Sequence, residues 1–322
     1  MRDVAQHAGV SVATVSRVLS GTAKVSSETH SRVTNAINHL SFVPSAAARA
    51  INSGRTHLIG ALVPTLDHAI FSRFLNAMEE TLSENGLSLV VATTDESADK
   101  ELQRARDLLN LGIEGLVVSG ITRANGFMEM VGHHDVPVIA TSYYDPANAL
   151  PTIGYDNAVA ARRAADHLLQ TGHRRIAVLS PSPDNNDRTR TRLEAVRNAE
   201  FNELTVAYSE LATGAAMQSV GRLMSARHNF TAILCLSDVL AHAALWYCAA
   251  KDIDVPHDLA VVGIDDLPGS PFLSPPLSSV HLPVAEMGKK TARAMADWVN
   301  NGVAASHHEL TTRLVVRRST TH

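Results

Sequence analysis

The chain has 322 residues, 45% hydrophobic and 19% charged, with a net charge of −4. That suits two or three soluble domains with a large core, packed mainly by aliphatic side chains because aromatics make up only 4%. No stretch reaches the roughly 18 apolar residues of a membrane span, and the N-terminus lacks a charged-then-apolar leader pattern, so a cytoplasmic protein with no membrane partner is expected. The two cysteines, Cys235 and Cys248, lie in apolar runs, and the 16 histidines form no ligand cluster. Buried free thiols are expected, and neither a metal nor a cofactor.

The charge is unevenly spread. Residues 1–56 carry six Arg and Lys against two Asp and Glu, a net +4, which leaves −8 for the remainder. A basic head on an acidic body fits a modular binder of a polyanion, although a solvated helical face can reach the same value.

The first forty residues read as three short helices. Val4, Ala5 and Ala8 share one helical face, Gly9 breaks the helix, and Ser11 can cap the next. In the second helix Val15, Val18 and Leu19 follow helical spacing. Ser26 caps a third, with Glu28 in its first turn and Val33, Ile37 and Leu40 as its stripe. Two helices joined by a tight turn and braced by a third make a helix-turn-helix. Ser45–Asn52 is rich in helix formers but too short to be stable alone, and it runs into the linker Ser53-Gly54-Arg55.

From Leu58 strands and helices alternate. Expected strands are 58–64, 87–93, 115–119, 136–142, 175–180, 232–236 and 259–264, with helices over 71–85, 100–111, 158–171, 240–251 and 285–300. Such alternation implies parallel sheets with ligands at the carboxyl ends of strands. One sheet would be unusually long, so two lobes with a cleft are expected. Ser274-Pro275-Pro276 and Pro283 can carry the chain back to the first lobe.

The run Asp3-Val4-Ala5-x-x-Ala8-Gly9-Val10-Ser11-x-x-Thr14-Val15-Ser16-Arg17-Val18-Leu19 resembles the head of the lactose/galactose repressor (LacI/GalR) family. The likeness continues through Val25-Ser26, Phe42-x-Pro44 and Ala48-Arg49 into Ile59-Gly60. It returns in Asp156-Asn157, His167-Leu168, Gly172–Ala177, Ser237-Asp238, Val262–Asp266 and Pro276–Val280. It implies an all-α helix-turn-helix head and an α/β, two-lobed, periplasmic-binding-protein-like (type I) body with parallel sheets. The implied boundaries are 1–44 for the head, 45–56 for a hinge helix and linker, and 57–322 for effector binding and dimerisation. The first lobe is expected over about 57–154 and 283–311, and the second over about 155–282 and 312–322.

The resemblance also implies a homodimer on a palindromic double-stranded DNA operator, controlled by a small-molecule effector. The Ser11-capped helix would enter the major groove, offering Val12 and Ala13 for apolar contact and Arg17 for a bidentate contact to guanine. Ser11, Thr14, Ser16, Lys24, Ser26 and Thr29 would grip phosphates, although helix capping alone can also account for the hydroxyls. In the hinge, Ala47, Ala48 and Arg49 would line the minor groove, with Ile51 as the wedge where the family usually has Leu; a plain linker turn is the alternative. Relatives carry a Thr cap before the first helix, and this chain begins Met1-Arg2-Asp3. Either that helix is poorly capped or the true start lies a few residues upstream. No apolar heptad tail follows Arg317-Arg318-Ser319, which favours a dimer over a tetramer.

For the effector, the resemblance places Phe71, Arg192, Asp238 and Asp265 between the lobes, with Ser142-Tyr143 where relatives commonly have an Asp-Arg pair and Leu211 where they often have an aromatic; Arg188 joins them from the segment that carries Arg192. Asp238 can equally serve as a helix cap, Asp265 in a turn, and Phe71 in the core. The crowding of Arg188, Arg190 and Arg192 favours an anionic ligand such as a sugar acid over a neutral hexose. A sugar-binding protein of periplasmic type would need a leader and no head. An enzyme of doubly wound fold would need a Gly-rich phosphate loop or a nucleophile elbow, and the sequence has neither.

Overall fold

The computed structural model describes residues 1–20, 25–42, 50, 54–226 and 229–321. Of the residues expected at DNA, Lys24, Ala47, Ala48, Arg49 and Ile51 lie outside the described residues. The chain separates into two units, Met1–His57 and Leu58–His322.

The first unit holds α1 (Arg2–Ala8), α2 (Val12–Ser20) and α3 (Ser27–His39) around a small core of Val4, Ala5, Ala8, Val15, Val33 and Ala36. Helix α1 has no side-chain cap and ends at Gly9, whose left-handed φ of 61° a side chain would strain. Arg32 on α3 reaches back to this turn, donating to the carbonyls of Ala8 and of Gly9, the latter at 3.1 Å. A cation on the carbonyl end of α1 offsets its partial negative charge and ties the three helices together. Ser11 accepts from the Thr14 N–H at 3.1 Å and Ser26 from the Thr29 N–H at 3.3 Å, so both act as helix caps. The expected α3 stripe needs one correction. Ala36 rather than Leu40 closes the core; Leu40 falls at the C-cap, 40% exposed, because the helix stops before its side chain turns inward.

In the second unit one lobe takes β1 (Leu58–Val63), α4 (Ala69–Glu84), β2 (Ser88–Thr93), α5 (Ala98–Asn110), β3 (Gly115–Ser119), α6 (Phe127–His133), β4 (Val138–Thr141) and β5 (Thr152–Gly154). The other takes α7 (Asn157–Gln170), β6 (Arg175–Ser180), α8 (Asp187–Arg197), β7 (Glu203–Tyr208), α9 (Thr213–Ser225), β8 (Ala232–Cys235), α10 (Asp238–Ala250), β9 (Ala260–Asp265) and β10 (Ser278–His281). The chain returns through α11 (Val284–Asn301) and β11 (His308–Glu309) to the first sheet and closes with β12 (Arg313–Val315) in the second.

The sheets run β11-β5-β4-β3-β1-β2 and β12-β10-β9-β8-β6-β7. Both therefore repeat one order, with the first strand of the lobe inside and the second at the edge. Among the described residues every pairing is parallel except β10 with β12. In such sheets the crevice opens at the carboxyl ends, where the strand order reverses. The chain passes between lobes after β5, after β10 and after β11.

The sequence reading does not anticipate β5, β7, β10, β11 and β12. The last four of these are short, polar or at a sheet edge. Strand β10 is instructive, because Ser278 and Ser279 are fully buried despite their polar side chains. Ser278 donates to the Arg317 carbonyl at 2.9 Å and Ser279 to Asp238 at 2.6 Å, so internal partners replace water. Helix α11 packs across α4, and Gly288 lets them touch: a Cβ there would lie 2.4 Å from the Phe74 carbonyl oxygen. Gly288→Ala is expected to lower stability by about 1–3 kcal/mol through overpacking. Urea unfolding checks this; an unchanged midpoint would mean that the two helices separate without cost.

Candidate functional site

In the head, capping sets the side-chain directions. With Ser11 fixed at the start of α2, Val15 turns wholly into the core, while Ser11, Val12, Ala13 and Arg17 are exposed and Thr14 and Ser16 half-buried. Val12 is 43% exposed, a large apolar side chain left in water. The Ser11 and Thr14 hydroxyls share a hydrogen bond of 2.9 Å, and Ser26 donates to the Thr29 hydroxyl at 2.9 Å. The starts of α2 and α3 thus gather hydroxyls at positive helix ends, the chemistry that receives phosphate oxygens.

In the body, a cavity of about 620 Å³ lies between the lobes. The first lobe contributes Phe71 and Phe74 from α4 and Ser142 from the end of β4. The second contributes Arg188 and Arg192 from α8, Leu211, and Asp265 from the end of β9. Phe71 lines the cavity and also packs on the hydrophobic core. Arg192 is almost wholly buried and is aimed by three elements. Its Nε donates to Asn157 Oδ1 at 2.9 Å, its Nη1 to the Leu236 carbonyl at 3.0 Å, and Asp265 Oδ1 lies 3.9 Å away. Among the described residues its Nη2 has no hydrogen-bond partner.

Asp265 Oδ2 accepts from Ser237 Oγ at 2.9 Å and from the Asp238 N–H at 3.3 Å. Burial pushes its carboxyl above the ordinary range against the opposing pull of Arg192. A donor nitrogen and an acceptor oxygen 3.9 Å apart, in a cavity that Phe71 and Phe74 also line, can take adjacent hydroxyls of a ring. Ser142 and Asp265 end corresponding strands of the two lobes, and both hold positive φ, 64° and 128°. Asp266 follows at 52° and is tied to Arg317 at 2.7 Å. Non-glycine residues in such conformations cost about 1–3 kcal/mol each and persist where the surroundings hold them.

Two expected effector residues lie elsewhere. Asp238 does not line the cavity. It is completely buried and accepts from Ser270 Oγ and Ser279 Oγ, both at 2.6 Å, and from the Leu267 N–H at 2.9 Å. Its oxygens are spent on neighbouring loops, and the helix cap is Ser237 instead. Gly263 admits the carboxylate, since a Cβ there would fall 2.1 Å from Asp238 Oδ1. Tyr143 also stays outside the cavity, sharing a 2.8 Å hydrogen bond with Thr191 across the lobes.

The arginine crowding is largely spent on the protein itself. Arg190 donates to the Pro183 carbonyl at 3.3 Å, and Arg188 lies 3.8 Å from Glu96 and 3.4 Å from Asp187. The sequence reading missed Asn157, which orients Arg192 and donates to the Ser142 carbonyl at 3.0 Å. A buried amide directly after the Asp156 helix cap was the available signal. It also missed Glu96, Ser237 and Phe74, which only folding brings to the cavity. Among the described residues no group of His, Cys, Asp and Glu is placed to hold a metal ion, and no helix is long and apolar enough to cross a membrane.

Residues 1–45 match the bacterial regulatory proteins of the lacI family, and residues 165–320 match a periplasmic binding protein-like domain. The ribose operon repressor of Halalkalibacterium halodurans is 30% identical over 99% of this chain and 96% of its own length. The transcriptional regulator GntR of Pseudomonas aeruginosa is 30% identical over 92% of this chain and 88% of its own. A crystal structure of the lac repressor dimer, bound to operator and an anti-inducer, shares the fold with a TM-score of 0.86 at 23% identity, over 99% of this chain and 98% of that one. With a family-type head, a two-lobed body and full-length relatives that are regulators and not enzymes, the chain belongs to the LacI family of bacterial transcription regulators.

Proposed function

We propose that this protein is a cytoplasmic repressor that binds a palindromic operator as a homodimer and is controlled by a polyhydroxylated metabolite, a sugar or sugar acid, in the interlobe cavity. The observation that carries the reading is the exposed row Val12, Ala13 and Arg17 on a helix whose other side closes the head core. Arg17 can read guanine through two hydrogen bonds, Val12 and Ala13 can pack on thymine methyls, and the hydroxyls of Ser11, Thr14, Ser16, Ser26 and Thr29 can meet phosphates. Selection of duplexes from a random pool is expected to return one palindrome. Arg17→Ala should cost about 1–3 kcal/mol and relax preference at one base pair per half-site. Equal, salt-sensitive binding to every duplex would overturn the regulator reading.

A second copy of this chain has a candidate seat on the second lobe. Phe272 is 88% exposed and Trp246 44% exposed. Both belong to the second lobe, where His242, edge-on to Trp246, hydrogen-bonds Ser270 at 2.9 Å, two residues before Phe272. Large apolar side chains grouped in water support an association face. Phe272→Glu with Trp246→Glu should shift sedimentation from dimer to monomer and weaken operator binding; a double variant that remains dimeric would remove the assignment.

The cavity supports a ligand rich in hydroxyls, with Arg192 Nη2 and Asp265 facing its edge and Phe71 its ring. The ligand moves the DNA-binding equilibrium only by the difference in its affinity for the lobe arrangements. In thermal unfolding with D-ribose, D-glucose and D-gluconate, one probe at saturation should raise the midpoint by about 5 °C or more, and Arg192→Ala should abolish that shift. A shift with gluconate alone would select the acid, a shift with a neutral sugar would select the sugar, and an undiminished shift in Arg192→Ala would move the ligand elsewhere.

A further inference from the structure

At the start of α8, residues of the second lobe reach across to the first. Asp187 Oδ2 accepts from the backbone N–H of Ile121 at 2.6 Å and of Thr122 at 2.9 Å, and its Oδ1 from the Arg188 N–H at 2.8 Å. On either side Asn186 donates to Glu96 at 2.6 Å and Arg188 to Ser119 at 3.4 Å. Gly120 makes the approach possible. Its φ is 73°, and a Cβ there would fall 2.6 Å from both Asp187 oxygens and 2.5 Å from Arg188 Nη1.

The accepting loop is held ready. Arg123 donates to the carbonyls of Ser119, Gly120 and Thr122 and pairs with buried Glu101 at 3.3 Å. Asp187 also stands in the first turn of α8, where the helix dipole favours an anion. Burial raises its pKa, but Arg188 and the three backbone N–H groups outweigh burial and hold the carboxyl below its ordinary value. The charged groups around it are Arg188 on its own helix and Glu96, Glu101 and Arg123 from the first lobe.

A carboxylate on two adjacent N–H groups of the opposite lobe exists only while the lobes are together. We infer that Asp187 is a positioning residue, a clasp that keeps the lobes closed without ligand and sets Arg188 in the cavity wall. Charge-assisted hydrogen bonds are the stronger kind, and here they add to the Tyr143–Thr191 and Asn157–Ser142 bonds in bridging two bodies connected by three short crossings. The inference goes beyond the effector reading and does not depend on which ligand binds.

The test uses the full chain without ligand, following amide hydrogen exchange at Ile121 and Thr122 together with small-angle scattering. In the wild type both amides should be protected although they lie in a loop. Asp187→Ala should speed their exchange by about tenfold or more, the change expected from losing a charge-assisted bond, and enlarge the radius of gyration. Asp187→Asn, which keeps one acceptor oxygen, should fall between. Gly120→Ala leaves the carboxylate in place but crowds it out, and should reproduce the effect should Asp187→Ala not fold. Unprotected Ile121 and Thr122 in the wild type, or exchange and radius unchanged in a folded Asp187→Ala or Gly120→Ala, would overturn the clasp.

Discussion

A guanidinium buried between two lobes must find enough acceptors, and much of the body's geometry at the cleft answers to that demand. Arg192 reaches an amide on α7, a backbone carbonyl after β8 and the carboxylate ending β9. An unpaired charge at this depth would cost several kcal/mol, so those elements cannot shift independently. The same amide group holds the Ser142 carbonyl, carrying the constraint into the first lobe. Parallel sheets make this convergence possible, because they bring all their carboxyl ends to one side.

A second polar system lies behind the cavity and should not be confused with it. Asp238 binds Ser270, Ser279 and the Leu267 N–H, while Asp266 takes Arg317 and His281. These bonds hold the loop after β9, where two successive aspartates adopt positive φ. The remaining carboxyl of this region, Asp265, lines the cavity. The difference is physical: the Asp238 oxygens are bonded to neighbouring loops, whereas among the described residues Asp265 Oδ1 has only Arg192, 3.9 Å away.

The head works by a different economy. With few aromatic residues it closes a core of small aliphatic side chains, and Arg32 joins α3 to the turn between α1 and α2. Because Arg32 is committed to carbonyls, it adds to the basic charge of the head without offering its guanidinium to a nucleic acid. Counting positive charges therefore overstates the number of groups that can touch DNA.

Much of this was legible in the residue order. Local signals determined the three head helices, the caps Ser11 and Ser26, the Gly9 break and the strand-helix alternation, since each depends on neighbours within a few residues. The motif run from Asp3 to Leu19 was enough to point to the family. Folding alone decided which polar residues face the cavity: Arg192 and Asp265 do, Asp238 and Tyr143 do not, and Asn157, Glu96 and Phe74 join from distant segments. It also decided that Ser278 and Ser279 are core and that Asp187 meets Ile121 and Thr122. Hydrogen-bond partners far apart in the chain carry no periodicity, so their pairing appears only when the two sheets bring them within reach.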